Sequence, residues 1–428
     1  MKSVRLFYGG WRDTITNGKI YWAICAIRTV GKTRKIVRNR RLWLGLIGLL
    51  FCVVVVLTSG FIRLDQEPHF LVQRAQVLTI DNARLSPDPY VEGLYIGRQT
   101  IEIEVLSGDH AGQRFRIENT MSRFFNHHTA PGMEILVSIN ANPETGQVVH
   151  VDVFGHSRGN FIHIFVGFFF LILLLIGRKK GLYSAISLLF TLVTVVFFLI
   201  PLIIRGHNPI LFAILTAALT TVFSIFMVSD ISLKSLAAIG GTLAGVTSAG
   251  IVGVLAGRLS HISGMHLEHA EELIFQSGEA IIQIPQLLSA GIIVAALGAV
   301  MDVGMSISSS VFEVKRADPK MDTKKLYKSG MTIGRDIMGT MSNTLILAFA
   351  GASITVMVII ALYELPYLRF INLNLLALEI VQGLSASIGL ILAVPVTAFL
   401  AALLASKNRV SGFLKDRVKL AEQDVPEK

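Results

Sequence analysis

The sequence predicts an α-helical membrane bundle of about eight transmembrane helices, joined to a small extracytoplasmic β-barrel domain. The composition is apolar, with 52% hydrophobic residues, 16% charged residues and a mean hydropathy of +0.62. A soluble domain would carry about 25% charged residues. Apolar runs of roughly 16–29 residues recur along the chain, and about 20 helical residues cross a hydrocarbon core. A polar stretch rich in β-branched residues separates the first run from the others.

The apolar runs define the predicted spans and the domains between them. We predict spans at residues 42–62, 161–176, 182–204, 210–228, 236–255, 285–311, 337–362 and 376–404. The first is an uncleaved signal anchor, because a long basic segment precedes it without a small-residue cleavage site. The predicted domains are a basic cytoplasmic segment at 1–41, the anchor at 42–62, an external β domain at 63–159, a seven-helix membrane domain at 160–405 and a cytoplasmic tail at 406–428.

The basic residues orient the chain. The formal charge is +10 and the pI is about 9.6, but most of the 39 Lys and Arg fall in segments that lie on one side if the N-terminus is cytoplasmic. Short loops rich in Lys and Arg stay in the cytoplasm, so we expect both termini there. The basic N-terminal segment is typical of lipid-headgroup contact, and no nucleic-acid partner is expected. Its membrane-proximal cations are Arg34, Lys35, Arg38, Arg40 and Arg41.

The external segment has the pattern of a small β domain. Five β-rich stretches with partial alternation lie at 71–80, 100–106, 113–119, 134–139 and 148–153, and they are separated by turn residues. Five short strands favour a small antiparallel barrel of OB type. Such barrels bind many ligands, so the fold names none. His127 and His128 are adjacent, and neighbours on a strand point to opposite faces, so we interpret them as ordinary loop histidines.

Catalytic and metal-binding patterns are weak. The second external segment contains HLEHAEE, which departs from the HExxH order of zinc proteases. Two histidines three apart leave a helical metal site open, but a solvated or interfacial helix is favoured. The glycine-rich stretch at 237–257 lacks a Walker lysine, and its small-xxx-small spacing is typical of close helix packing. Ser248 has no buried histidine base, since His163 lies at the edge of its span. We therefore expect no enzyme activity, no cofactor and no metal. The residues of HLEHAEE are His266, Glu268, His269, Glu271 and Glu272, with Leu267 and Ala270 between them.

The sixth predicted span carries polar residues at membrane depth. Asp302, Ser306, Ser309 and Glu313 are spaced 4, 3 and 4 apart, which places them on one helical face. With the cytoplasmic boundary at Lys315, Asp302 lies roughly 20 Å deep at 1.5 Å rise per residue. A charged side chain at that depth costs about 2.5–3.5 kcal/mol on insertion scales. This cost requires a partner, water or a functional use.

The seventh predicted span carries a matching polar set. Asp336, Thr340 and Asn343 repeat the spacing of 4 and 3, with Arg335 and Thr344 beside them. The two spans run antiparallel because a cytoplasmic loop joins them. We predict one polar seam shared by both helices, completed by Glu379 and Gln382 on the last span.

The expected antiparallel packing makes specific contacts within this seam. Glu313 would approach Arg335, while Ser306 and Asp302 would lie near the level of Asn343 and Leu347, respectively. Gly339 would allow the two helices to come close.

Two interpretations of the seam remain open. The seam is structural if an ion pair of Arg335 with Glu313 or Asp336 fixes the helix register. The seam is a conduit if Asp302 stays unpaired, because no basic residue shares its depth in any predicted span. An unpaired carboxyl group there would be protonated or hydrated, as in proton and cation relays.

The polar stretches resemble a known family. GAVMDVGMSISSSVFE at 298–313 and SGMTIGRDIMGTMSNTLILAFAG at 329–351 are similar to the signature of the YibE/F-like family of bacterial multi-pass membrane proteins. The region 161–404 resembles that family throughout, and the anchor with its external β domain resembles the family's longer members. The resemblance implies a bacterial cell membrane. It names no activity beyond the common supposition of transport.

Two classes of function follow. The first is a proton- or cation-coupled permease that uses the polar seam, with a small solute or ion as its partner. The second is a non-catalytic membrane scaffold or envelope factor, whose β domain binds an envelope protein. The lipid bilayer is a partner in both, and a homo-oligomer is compatible with both. The sequence contains no nucleotide-binding motif, so direct ATP drive is not expected.

Overall fold

The computed structural model describes residues 44–56, 71–141, 147–262, 264–265, 267, 270–276 and 282–407. The described residues divide into two compact units, one within residues 63–176 and the other formed by the rest of the chain. We call them the β unit and the membrane unit. The N-terminal segment and most of the C-terminal tail, both predicted above to be cytoplasmic, lie outside the described residues.

The β unit contains one antiparallel sheet of five strands. The strands are β1 (Leu71–Pro87), β2 (Tyr95–Val105), β3 (Arg114–Met121), β4 (Glu134–Ala141) and β5 (Val148–His156). All five predicted stretches are strands, although β1 and β2 are longer than expected. The order across the sheet is β3-β2-β1-β4-β5, and every neighbouring pair is antiparallel. The sheet forms a half-barrel, with β3 and β5 at its two edges among the described strands.

Alternation along the strands builds the core of this unit. In the sequence IEIEV of β2, Ile101, Ile103 and Val105 are buried, while Glu102 and Glu104 point outward. This is the period of two that a half-buried strand requires. The same alternation on the neighbouring strands adds the remaining buried side chains. They are Ala75, Val77, Ile135, Val137, Ile139 and Val151.

The membrane unit is helical. Its elements are α1 (Leu44–Val56), α2 (Gly159–Val193), a π-helical segment (Thr194–Leu199), α3 (Ile200–Ile204), α4 (Pro209–Ser229), α5 (Leu233–Leu259), α6 (Ala270–Gln276), α7 (Ile284–Ala317), α8 (Thr323–Ala352), α9 (Ile354–Leu362), α10 (Tyr367–Ile371) and α11 (Asn374–Lys407). The first half of α2 belongs to the β unit. Within the described residues, five helical stretches are long and apolar enough to cross a membrane, or six if the bent α8–α9 pair counts as one.

Two breaks modify the predicted spans. Arg178 has a non-helical backbone (φ 48°, ψ −126°) and interrupts α2 between the predicted spans 161–176 and 182–204. The run 337–362 was expected to be one span, but it is bent by 61° between α8 and α9.

Helix α8 begins before its apolar run. It starts at Thr323, where the Asp322 side chain accepts a hydrogen bond from the Lys325 amide at 3.0 Å. This N-cap extends the helix 14 residues ahead of the apolar run, because capping satisfies the free amides of its first turn.

Glycines set the closest helix packing. A Cβ on Gly245 of α5 would lie 2.6 Å from the Cβ of Ala393 and 2.9 Å from the Gly389 carbonyl oxygen on α11. A Cβ on Gly253 would lie 2.7 Å from Ile292 of α7. The predicted small-xxx-small face of α5 therefore packs directly on its neighbours, as close backbone approach requires.

Candidate functional site

The predicted polar residues of α7 lie on a face that no other described part of the chain covers. Asp302, Ser306 and Glu313 are exposed and Ser309 is half-buried. The opposite face is buried, and Ser308 anchors it through its hydroxyl, which donates to the Lys234 carbonyl oxygen at 2.7 Å. The helical spacing thus separates an apolar bundle-facing side from a polar outward side. At about 1.5 Å per residue, Asp302 lies roughly 22 Å from the end of α7.

The polar set of α8 has the same placement. Arg335, Asp336, Thr340, Asn343 and Thr344 are all exposed. The two threonine hydroxyls bond only within the helix, Thr340 to the Ile337 carbonyl oxygen and Thr344 to the Thr340 carbonyl oxygen, each at 3.0 Å. Arg335 begins this set roughly 18 Å from the start of α8. The polar face therefore lies about three to six turns into α8.

The contact between α7 and α8 is apolar. A Cβ on Gly330 would lie 2.8 Å from Val311, and one on Gly334 would lie 3.1 Å from Ile307. Gly339, which we expected to bring the helices together, has open space around its Cβ position. The helices approach closely at Gly330 and Gly334. These glycines have no side chain, so the β-branched side chains of Val311 and Ile307 on α7 can pack directly against them.

This packing corrects the predicted register. The two glycine contacts place Ser306 at the level of Arg335 and Asp302 at the level of Gly339. Each is eight residues, about 12 Å or more than two turns, from the predicted level at Asn343 or Leu347. Within the described residues, the expected contact of Glu313 with Arg335 is absent. Glu313 instead pairs with Arg316 one turn along its own helix, at 2.6 Å. Both partners are mostly exposed, so the pair stabilises by about 1 kcal/mol at most.

The deep charges make no ion pair in the described part of the chain. Asp302, Arg335 and Asp336 have no hydrogen bond or salt-bridge partner there. Glu379 and Gln382, proposed to complete the seam, are half-buried on α11. Gly334 contacts both Ile307 and Val394, which fixes the levels of α7 and α11. By helix rise Gln382 and Glu379 lie about 10 and 15 Å from the level of Asp302, so they are displaced along the membrane normal.

Other exposed faces of the bundle are apolar. On α11, Leu384, Ile388, Leu392 and Phe399 are 39–54% exposed. On α5, the exposed residues include Ile251. These faces have the composition that lipid contact demands. The polar faces of α7 and α8 are therefore different in kind from their surroundings.

Buried hydroxyl groups were missed from the sequence. Ser187 of α2 donates to Ser224 of α4 at 2.6 Å, and Thr220 bonds back to the Thr216 carbonyl oxygen. Thr242 of α5 is fully buried, and its hydroxyl has no partner among the described residues. The threonines of α4, in the sequence TAALTTVFS, could have predicted these buried hydroxyl groups, because small hydroxyl residues are common where membrane helices pack.

Metal ligands do not cluster in the described part of the chain, where no three His, Cys, Asp or Glu side chains could share an ion. His266, Glu268 and His269 lie outside that part, while Glu271 and Glu272 are exposed at the start of α6. His127 packs edge-on against His156, with 5.7 Å between ring centroids.

Comparison with family models matches nearly all of the described chain. The model described as YibE/F-like protein matches residues 165–407, and the model described as YibE/F family N-terminal domain matches residues 73–153. The chain belongs to the YibE/F-like family. No curated protein and no solved structure matches it. The first model contains both polar faces, and the second covers most of the half-barrel, so both units are family features.

The N-terminal family domain contains a buried carboxylate that sequence reasoning also missed. The side chain of Asp88, just after β1, is fully buried and accepts a hydrogen bond from Arg123 Nε at 2.6 Å. It also accepts from the backbone amides of Tyr90 at 2.7 Å and Val91 at 3.1 Å. The hydrogen bond from Arg123, followed by that from the Tyr90 amide, lowers the pKa of Asp88. This cluster ties the β1–β2 loop to the β3–β4 loop.

We predict that Asp88→Asn loosens these two loops in a pH-dependent way. Because the folded-state pKa is below the unfolded value of about 3.9, the carboxylate stabilises the fold fully above that value. The contribution is lost as the pH falls through the folded-state pKa. Amide hydrogen exchange at Tyr90 and Val91 should be several-fold faster in the variant at pH 7, and the difference should shrink below about pH 4. Asp109→Asn in an exposed loop is the control, and equal exchange in both variants at pH 7 would contradict the prediction.

Proposed function

We propose that this protein is a multi-pass permease of the bacterial cell membrane that moves protons or small cations along the polar faces of α7 and α8. One observation carries the proposal: these faces are exposed and charged at span depth, whereas the exposed faces of α5 and α11 are apolar. In hydrocarbon each deep charge costs about 2.5–3.5 kcal/mol. Water along these faces removes that cost, and a hydrated path through the bilayer follows.

Residue roles follow from depth and chemistry. Asp302 is the proposed acceptor of the proton or cation, since it is the deepest acid of α7. Ser306 and Ser309, together with the amide and hydroxyls of α8, supply oxygen ligands along the path, as hard cations prefer. Arg335 and Asp336 share one depth on α8 and set the local field. The remaining members of the path are Glu313, Thr340, Asn343 and Thr344.

A second copy of the chain is the proposed cover for the outer side of these faces. Arg335 and Asp336 are neighbours on one helix, so a two-fold axis along the membrane normal would place each Arg335 near the other copy's Asp336. Such isologous contacts are the usual form of homodimers. This partner encloses the water and pairs the remaining charges.

The proposed topology has eight spans with both termini in the cytoplasm. The stretch Gly159–Ile204 has 46 residues, far more than the 20 or so that one span needs, so we divide it at Arg178. The bent α8–α9 pair counts as one span, and α1 supplies the signal anchor. We also propose an OB-like barrel for the β unit, because its strand order is that of such a barrel if β3 and β5 close it.

A scaffold is the alternative function. It is favoured by the tight packing of α5 on α11 through Gly245 and Gly389, which leaves no room for a path at that interface. In this case the polar faces only bind a partner helix, and the β unit recruits an envelope protein.

Water accessibility separates these functions. We expect Ser306→Cys, in a background with Cys25 and Cys52 changed to Ser, to react at least tenfold faster with a charged methanethiosulfonate in proteoliposomes than Leu392→Cys does. Both sites lie at nearly the same depth, but only the first lies on the polar face, and the reaction needs a hydrated thiolate. Equally slow reaction at both sites would exclude a hydrated path.

A further inference from the structure

Three aromatic side chains of the β unit are exposed at one end of its sheet. Phe124 is 94% exposed, Tyr90 82% and Phe125 70%. Tyr90 lies in the β1–β2 loop and the two phenylalanines lie in the β3–β4 loop. The Arg123 guanidinium lies 4.8 Å from the centre of the Tyr90 ring, so the two loops meet. We call these three residues the aromatic rim. Single exposed apolar residues are ordinary, whereas a group of large ones marks an interaction site.

The loops hold the rim in place. Ser122 and Phe125 exchange two hydrogen bonds, from the Ser122 amide to the Phe125 carbonyl oxygen at 3.0 Å and from the Phe125 amide to the Ser122 hydroxyl at 3.1 Å. The Asn126 side chain donates to the Tyr95 carbonyl oxygen at 2.6 Å. Buried Asp88 anchors Arg123. Preorganisation of this kind lowers the entropy lost on binding.

The rim lies at the end of the sheet from which the chain enters its apolar helix. Strand pairing places Pro87 opposite Tyr95 and Ile135 opposite His156, so both loops share the end at which β5 finishes. The ring of His127, in the same loop as the phenylalanines, contacts that of His156. Helix α2 starts at Gly159, three residues after β5 ends.

The bilayer surface is therefore close to the rim. The first half of α2 belongs to the same compact unit as the sheet, and its side chains from Phe161 onward are largely exposed and, apart from His163, apolar. This half must lie in hydrocarbon, which brings the β5 end of the sheet to the headgroup layer. Aromatic side chains favour that layer. Arg123 is 51% exposed beside the rim and Arg158 is exposed at the start of α2, where both cations can reach lipid phosphates.

We propose that Tyr90, Phe124 and Phe125 insert into the lipid interface of the leaflet in which α2 begins, and that the β unit is thereby held flat on the bilayer. The rim binds lipid rather than a protein, because it lies at the end of the sheet next to α2, the membrane-embedded helix of the same unit, and arginines flank it. The salt bridge between buried Asp88 and half-exposed Arg123 keeps the two loops at the geometry that insertion needs.

Fluorescence quenching tests the proposal in the full-length chain. Phe124→Cys and Phe125→Cys, each in the background without native cysteines, are labelled with bimane and reconstituted in vesicles. Each variant keeps the other phenylalanine. Asp109→Cys, in the loop at the opposite end of the sheet, is the matched control. Quenching by doxyl-labelled lipid should be at least threefold stronger at 124 and 125 than at 109, and quenching by aqueous iodide should show the reverse order.

Two outcomes would overturn the proposal. Lipid quenching at 124 and 125 as weak as at 109, with strong iodide quenching at all three sites, would place the rim in water. Rim labels that neither lipid nor iodide quenches would be covered by protein, either a second copy or another chain. Both outcomes leave the proposed ion path of α7 and α8 untouched, since this inference rests on the β unit alone.

Discussion

Gly245→Leu is expected to destabilise the membrane unit by about 3 kcal/mol, the upper part of the usual range for overpacking. A Cβ at this position would approach Ala393, Val300 and the carbonyl oxygen of Gly389 within 2.9 Å. Two of these three atoms belong to α11, and a backbone oxygen cannot move aside as a side-chain end can. The α5 and α11 helices must then separate, which exposes the close-packed core to lipid.

The thermal midpoint of the purified protein in detergent measures this effect. Gly291→Leu is the matched control, because its Cβ position on α7 has no atom within 4 Å and the residue is exposed. We expect the control to unfold at or above the wild-type midpoint, since leucine favours helix more than glycine does. Equal midpoints for the two leucine variants would contradict the packing described for α5 and α11.

Asp302→Asn is expected to reduce proton or cation flux in proteoliposomes at least tenfold. Asparagine has nearly the shape of aspartate but cannot exchange a proton or carry a negative charge. Since Asp302 is exposed and has no protein partner among the described residues, the fold should keep its thermal midpoint. The loss would then be a loss of function alone.

Flux in vesicles loaded with a pH-sensitive dye measures this second effect. Asp318→Asn is the matched control, since it also neutralises an exposed acid but lies just beyond the end of α7 and outside the proposed path. The control should retain more than half of the wild-type flux. A wild-type rate in Asp302→Asn would remove Asp302 from any relay.

The features that the sequence predicted well are those that depend on local period. Alternation in IEIEV fixed which side of β2 is buried, because the side-chain period of a strand is two. The spacing of Asp302, Ser306 and Glu313 likewise placed them on one face of α7. The family assignment rested on the polar stretches at 298–313 and 329–351, and the family models support it.

The relation between helices could not be predicted in the same way. We expected the polar faces of α7 and α8 to pack against each other, since opposite charges attract. The structure packs their apolar sides through Gly330 and Gly334, because burial of Ile307 and Val311 against small residues sets the register. The positions of the glycines along α8 do not by themselves show that Gly330 and Gly334, rather than Gly339, contact α7.

Structures that depend on distant parts of the chain were also missed. Asp88 and Arg123 are 35 residues apart, and neither stands out in its own segment. The bend between α8 and α9 falls at Ser353, inside a continuous apolar run that gives no Pro signal. The pair of Asp88 with Arg123 is a tertiary contact, which single-sequence patterns do not contain.

The flux of wild-type protein in proteoliposomes tests the central claim most directly. The polar faces of α7 and α8 predict movement of protons or of a small cation that exceeds leakage in protein-free vesicles and rises with the amount of protein reconstituted. Protons, sodium and potassium should be measured in turn on protein whose folding has been verified. No flux of any of the three above the protein-free rate would contradict the account and favour the scaffold.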